Sequence, residues 1–245
     1  MQSKIFYDLH THTTYSHGKG SIMDNARAAA DAGLETLGIA DHGPGHMNYG
    51  IDMNLLDNMR REIDAARKEF PQLEILLGVE ANIVNFSGAL DVSREDQELF
   101  DFIIAGYHYG YFGERFFHGL NTCVKGWLHD HGLRSGAGTK QQNTEVVIAA
   151  LESNDIKILT HPGDKMAVDI EAIARTCERR GTFLEINNHH NHLTVDEIKL
   201  IKEYDVSFVL SSDAHRPENV GRVEASLQRV YDAELDLSRV VNYRG

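Results

Sequence analysis

Ile5-Phe6-Tyr7-Asp8-Leu9-His10-Thr11-His12-Thr13 opens as a short apolar run and closes in imidazoles and hydroxyls. The same change of character recurs downstream. With Ile5 to Leu9, the runs Thr36 to Ala40, Ile75 to Val79, Phe102 to Tyr107, Ile156 to Thr160, Phe183 to Ile186 and Val206 to Leu210 make seven candidate strands. Each is continuous rather than alternating, which suits strands covered on both faces by helices, as in a parallel α/β sheet. Six of the seven run into a metal-type donor: His10 and His12, Asp41-His42, Glu80, His108, His161, and Asp213 with His215.

Helix signals lie between the runs. Ser21, with Asp24 after it, starts an Ala-rich segment that should stop at Gly33. Residues 54–69 carry Leu55, Leu56, Met59, Ile63 and Ala66 at helical spacing. Asn143 is expected to cap a helix through Leu151, and Thr194-Val195-Asp196-Glu197 reads as a capping box. The pattern predicts βα units repeated about seven times, with no internal repeat, low-complexity tract or Pro-rich linker. Residues 107–142 depart from it. Glycines recur there from Gly110 to Gly138 without a period, and such an insertion is expected to form a lid or mobile loop over the site.

At 245 residues the chain fits one barrel-sized domain or two small ones, and 42% hydrophobic with 25% charged residues is an ordinary globular composition. Twenty-four basic against 37 acidic residues leave a net charge of −13, a field that repels nucleic acid and anionic membranes unless bound cations reverse it locally. Cys123 and Cys177 show no CxxC or zinc-ribbon spacing and form no disulfide framework, so a reducing compartment is expected. Met1 to Asp8 has no signal-peptide apolar core, and no stretch reaches the roughly 18 apolar residues of a membrane span. A cytoplasmic address is the expectation. Self-association is left open.

In a parallel barrel the C-terminal strand edges face one mouth, so His10 and His215 can converge although far apart in sequence. His10 and His12, with Thr11 turned away, share one face of a strand end. Borderline divalent ions want this donor set: neutral imidazole nitrogens at about 2.0 to 2.1 Å, and carboxylates to offset the charge. Any one of these histidines alone reads as an ordinary core or surface residue. Six strand ends together do not, because buried unpaired polar groups are costly.

The motifs Asp8-Leu9-His10-Thr11-His12-Thr13, Ala40-Asp41-His42-Gly43-Pro44, Gly78-Val79-Glu80-Ala81-Asn82-Ile83, Ile103-Ile104-Ala105-Gly106-Tyr107-His108, Thr160-His161-Pro162-Gly163, Leu184-Glu185-Ile186-Asn187-Asn188 and Ser212-Asp213-Ala214-His215 occur in order along the chain. Together they resemble the PHP (polymerase and histidinol phosphatase) superfamily, and within it the small stand-alone YcdX-like phosphatases. The resemblance implies a distorted (β/α)7 barrel, TIM-like, forming a single domain over residues 1–245 with a trinuclear metal site. Carried over, one ion takes His10, His12, Glu80 and Asp213; a second shares Glu80 and adds His108 and His161; a third takes His17, His42 and His215. His17 stands where many relatives have Asp, which singles out the third site.

Three divalent ions bring about +6 and Glu80 with Asp213 return about −2, leaving about +4 at the mouth of an acidic protein. An anion is drawn there. The expected activity is a metal-dependent phosphoesterase hydrolysing a small phosphorylated metabolite through a metal-bound hydroxide, with two to three ions, zinc first and manganese or iron as alternatives. Asp213 and Arg216 are the expected catalytic pair; Arg216, Asn187 and His189 are expected at the substrate, with His190 beside them. His46, His118, His129, His131 and His192 are read as surface residues of loops. The competing readings are a histidinol-phosphate phosphatase, a nuclease-type phosphodiesterase, an amidohydrolase barrel and a non-catalytic metal-binding module. An amidohydrolase would bring a lysine to a strand end, and none is found there.

Overall fold

Seven strands lie side by side in chain order: β1 (Tyr7–Asp8), β2 (Thr36–Ile39), β3 (Glu74–Asn82), β4 (Phe102–Gly106), β5 (Ile158–Leu159), β6 (Phe183–Asn187) and β7 (Phe208–Ser211). Every neighbouring pair is parallel. The computed structural model describes residues 3–108 and 137–245. At the mouth the ring closes where Thr11 bridges Ala214 in parallel and the His12 N–H donates to the Ala214 carbonyl at 2.9 Å. Further down, the C-terminal segment fills the gap between β7 and β1. The Val241 N–H donates to Phe208 at 2.9 Å, and the buried Asn242 side chain accepts from Leu210 N–H at 3.0 Å. Its amide also donates to the carbonyls of Tyr7 and Leu210, each at 2.8 Å. One asparagine thereby supplies pairing that a strand-to-strand ladder lacks there, since buried backbone groups need partners.

The continuous apolar runs follow from two buried faces. Leu37, Ile39, Leu77, Val79, Ile103, Ala105, Leu184, Ile186 and Leu210 face outward and pack into the main core with the helices. Leu9, Ala40, Ile104, Ile158 and Val209 point inward and, with Phe102 and Phe183, fill the barrel floor. Gly38 and Gly78 make room there, since a Cβ at either would strike the Phe102 ring. Two residues further along the same inward rows the side chains turn polar: Glu80 after Gly78, Glu185 after Phe183, Ser211 after Val209. β3 extends past the expected Val79 to Asn82, so Glu80 is held inside the strand.

The helix Ile22–Ala32 has the expected capping box at Ser21 and a left-handed Gly33 (φ 74°) at its end. Leu56–Glu69 follows a short 3-10 turn and buries Met59, Ile63 and Ala66. Thr194 caps Val195–Ile201 with Glu197 as its reciprocal partner. Asn143 differs from expectation. The helix runs Ala137–Ser153, so Asn143 lies inside it, and its amide donates to Ala167 O at 3.0 Å instead of capping. Of the glycine-rich segment expected over 107–142, residues 109–136 lie outside the described residues, while 137–142 are already helical. Among the described residues no helix is long and apolar enough to cross a membrane.

Candidate metal centre

The strand ends carry their donors to one place. Glu80, fully buried, is the hub: its Oε1 lies 3.1 Å from His108 Nε2, 3.1 Å from His161 Nε2 and 3.3 Å from His10 Nε2. Its Oε2 lies 2.9 Å from His42 Nδ1 and 3.6 Å from His12 Nε2. Asp213 Oδ1 lies 3.2 Å from His12 Nε2 and 3.6 Å from His10 Nε2. Two donors bound tetrahedrally at about 2.0 to 2.1 Å from one ion sit about 3.4 Å apart, so these separations fit a coordination shell as well as hydrogen bonds. Within such a cluster His10 Nε2, both nitrogens of His12, His17 Nδ1, His42 Nδ1 and Asp213 Oδ1 are buried without a hydrogen-bond partner. Buried polar atoms in proteins are ordinarily hydrogen-bonded, and cations are the partner this donor set fits.

A second ring of groups aims the first. His10 Nδ1 meets Glu185 Oε1 at 2.7 Å, so the N–H is on Nδ1 and Nε2 is left as a ligand. The other Glu185 oxygen accepts the His161 backbone N–H at 2.8 Å, which holds His161 at its positive φ of 27°. Asn82 donates its amide to Asp91 at 3.1 Å, which leaves its oxygen to accept from His108 Nδ1 at 2.7 Å and turns His108 Nε2 inward. The His215 Nδ1–H donates to the Asp213 carbonyl at 2.9 Å. Asp213, too, has a left-handed backbone (φ 51°). Asp41 accepts from Thr13 N–H at 2.7 Å and from the Thr13 and Ser16 hydroxyls, pinning the loop that carries His17.

The electrostatics divide the imidazoles. Burial, aided by neighbouring imidazoles, pushes His17 down to about 3, and burial pushes His108 down to about 4 against the pull of Glu80. Burial also lowers His12 well below the ordinary histidine range. These rings are neutral at pH 7 and ready to ligate. Burial penalises charged His10 and His161 too, but Glu80, Asp213 and Glu185 outweigh it and raise both. Burial disfavours the charged forms of Glu80 and Asp213, yet the surrounding imidazoles win and hold both well below the carboxylate range.

All nine expected ligands, His10, His12, His17, His42, Glu80, His108, His161, Asp213 and His215, converge. His12, His42 and His215 offer donor atoms within 4.8 Å of one another, as do His10, His12 and Asp213, and His42, Glu80 and His108. The His17 ring stacks on His42 at 4.8 Å and meets His215 edge-on at 4.2 Å. Arg216 and His189 line the same cavity as His17 and His215. The Arg216 guanidinium is 61% exposed and 3.8 Å from Glu218. Asn187 is placed otherwise than expected: it is fully buried, its amide donating to Glu185 at 2.9 Å and to Asp213 at 3.1 Å, and its oxygen accepting from His189 and His190. With every group engaged, it braces the donor carboxylate Asp213 rather than facing the cavity.

Glu185 was given no role in the sequence reading, and His190 and His46 stand nearer the donors than expected. Glu185 sits on the one strand given no metal ligand, and its signal was an acid inside an apolar run. His190, 3.2 Å from Asp164 and 3.5 Å from Asp213, offers a donor beside His161. His46, read as a surface residue, stacks on His42 at 4.9 Å and is pushed down to about 4 by burial and neighbouring imidazoles. His192 pairs with Glu197 at 3.2 Å, away from these groups, while His118, His129 and His131 lie outside the described residues.

A parallel barrel whose mouth gathers imidazoles around two bridging-competent carboxylates defines a metal-dependent hydrolase of the phosphoesterase kind. The model of the PHP domain matches residues 8–189, and the chain belongs to that family. A probable phosphatase of Acetivibrio thermocellus is 28% identical over 248 residues, covering 98% of this chain and 91% of that protein. Another, of Caldanaerobacter subterraneus subsp. tengcongensis, is 29% identical over 99% of this chain and 89% of its own length. The fold is similar to that of the histidinol phosphate phosphatase of Lactococcus lactis subsp. lactis, solved with zinc, L-histidinol and phosphate. The TM-score is 0.65 at 15% identity, covering 94% of this chain and 93% of that one.

Proposed function

We propose that this chain, as one PHP domain, hydrolyses a small phosphorylated metabolite at a trinuclear centre of divalent ions, zinc first and manganese or iron as alternatives. The observation that carries the reading is Glu80, whose two oxygens reach separate imidazoles, His108 and His161 on one side and His42 on the other, at 2.9 to 3.1 Å. A carboxylate so placed suits a bridge between ions. Such ions, when bound, supply a water nucleophile acidic enough to react near neutral pH and charge to hold the phosphoryl oxygens. The protein's part is positional. Glu185, Asn82 and Asn187 hold the ligand side chains, His17 and His215 border the cavity that admits substrate, and Arg216 stands at its edge with a guanidinium suited to fork two phosphate oxygens.

The cavity beside His17 and His215, of about 540 Å3, offers room for a small substrate and counts against a purely metal-storing module. A net charge of −13 counts against a nucleic-acid substrate. The Lactococcus lactis neighbour's histidinol gives a second reading, histidinol-phosphate hydrolysis, supported by fold likeness. Elemental analysis of protein purified without chelator, followed by p-nitrophenyl phosphate turnover before and after chelation, tests the proposal. Two to three ions per chain and chelator-sensitive hydrolysis are expected. Activity with no bound metal overturns it.

A further inference from the structure

The cavity next to His17 and His215 is also lined by Lys19, Arg216 and Arg222, with Glu224 as the lining carboxylate besides Asp213. Among the described residues neither Lys19 nor Arg222 makes an ion pair, in a chain where 37 acids outnumber 24 bases. Both residues are exposed, yet their backbones are anchored. The Lys19 backbone N–H donates to His215 O at 2.8 Å, and neighbouring Gly20 packs directly on Pro217. The Arg222 N–H donates to Asn219 O at 3.0 Å. Gly221, in the left-handed region at φ 73°, donates its N–H to buried Asp8 at 3.0 Å and accepts from the Ser3 hydroxyl at 2.6 Å. Two loops that could have drifted apart are therefore tied to each other and to a strand-end histidine.

Leaving Asp213 to the metal-donor cluster, three cations face one carboxylate in this cavity. Their field comes on top of any bound ions, so it favours negative charge beyond the scissile phosphate and disfavours an ammonium group. We propose that Lys19 and Arg222 form a second anion subsite, so that the substrate is a phosphate monoester bearing another anionic group, a carboxylate or a second phosphate. The inference rests on the phosphatase reading and sharpens it towards a substrate unlike an amino alcohol phosphate. Lys19 and Arg222 act in recognition, by charge, and not on the reacting atoms.

The test compares kcat/KM of the metal-loaded enzyme for 3-phosphoglycerate, 1,3-propanediol bisphosphate, glycerol 3-phosphate and phosphoethanolamine at one ionic strength. At least one of the two compounds with a second anionic group, 3-phosphoglycerate or 1,3-propanediol bisphosphate, should exceed glycerol 3-phosphate by about tenfold or more, chiefly through KM, with phosphoethanolamine lowest. Which of the two leads identifies the carboxylate or the phosphate as the preferred group. In the Lys19→Gln/Arg222→Gln double variant that ratio should fall towards one, and Lys19→Arg/Arg222→Lys should restore most of it. Raising salt should shrink the same preference. Equal rates for charged and neutral compounds, or a preference for phosphoethanolamine, overturn the subsite while leaving phosphatase activity standing. Absence of hydrolysis of all four and of p-nitrophenyl phosphate overturns the phosphatase reading and the subsite with it.

Discussion

The two halves of the barrel mouth are built on different electrostatic terms. Around Glu80 and Asp213, the imidazoles of His10, His12, His108 and His161 face carboxylate oxygens at 3.1 to 3.6 Å, and Glu185 and Asn82 orient His10 and His108 from behind. Around His17, the neighbours are rings: His42 at 4.8 Å, His215 at 4.2 Å and Tyr49 at 4.5 Å. The first half offers cations compensating negative charge and rigid aim. The second offers mainly imidazole nitrogens, and carboxylate charge reaches it only from its border, from Glu80 at 2.9 Å from His42 and from Asp213 at 3.4 Å from His215. Ions in the first half should bind more tightly, and the third ion should be the one lost first.

Glu80→Gln is the severest break, because it removes the charge that both halves share while keeping the shape. Loss of at least two ions per chain and a fall in kcat/KM on the order of a thousandfold are expected, read by elemental analysis and phosphomonoester kinetics. Full metal content in that variant would end the bridging role. Arg216→Ala should leave metal content unchanged and raise the barrier for phosphomonoesters by about 2 to 4 kcal/mol if its charged contact forms in the transition state. Unchanged kinetics would put Arg216 on the outer rim, alongside its partner Glu218.

Glu185→Gln tests the aiming ring. Weakening the carboxylate behind His10 should cost about 10- to 100-fold in affinity for the ions of the Glu80 half, by chelator competition, and leave the His17 half less affected. An equal loss in both halves would show a general loosening of the barrel instead. The smallest effect is the pH response. The carboxylates raise His10 and His161, so those rings must shed protons to ligate, whereas His12 and His17 are already neutral. Affinity in the Glu80 half should therefore drop as pH falls, by about tenfold per unit for each proton displaced, and binding there should release protons. Calorimetry in buffers of different ionisation enthalpy reads the proton count, and zero protons would contradict the assignment.

Much of this was legible in the chain itself. Seven apolar runs, six of them running into imidazole or carboxylate, set out the strands and the donor positions, because strands covered on both faces are apolar along most of their length and turn polar towards the mouth. Ser21 and Thr194 marked helix starts because their hydroxyls satisfy backbone N–H groups locally. Asn143 misled for the same kind of reason: its capping chemistry is real, but the helix begins as far back as Ala137 and the amide finds Ala167 instead.

The sequence by itself determined the donor types, their order and the strands that carry them, since hydrophobic periodicity and residue chemistry are local properties. Only the tertiary structure decided which nitrogen each histidine turns inward, that Glu185, Asn82 and Asn187 serve as braces, and that His46 and His190 stand among the donors. It also decided how the barrel closes, with Asn242 spanning from β7 to β1. Those outcomes hang on hydrogen bonds between residues as far apart as His10 and Glu185 or Tyr7 and Asn242. Pairings of that range leave no periodic trace in a sequence, because closure of the barrel, and not local spacing, brings the partners within reach.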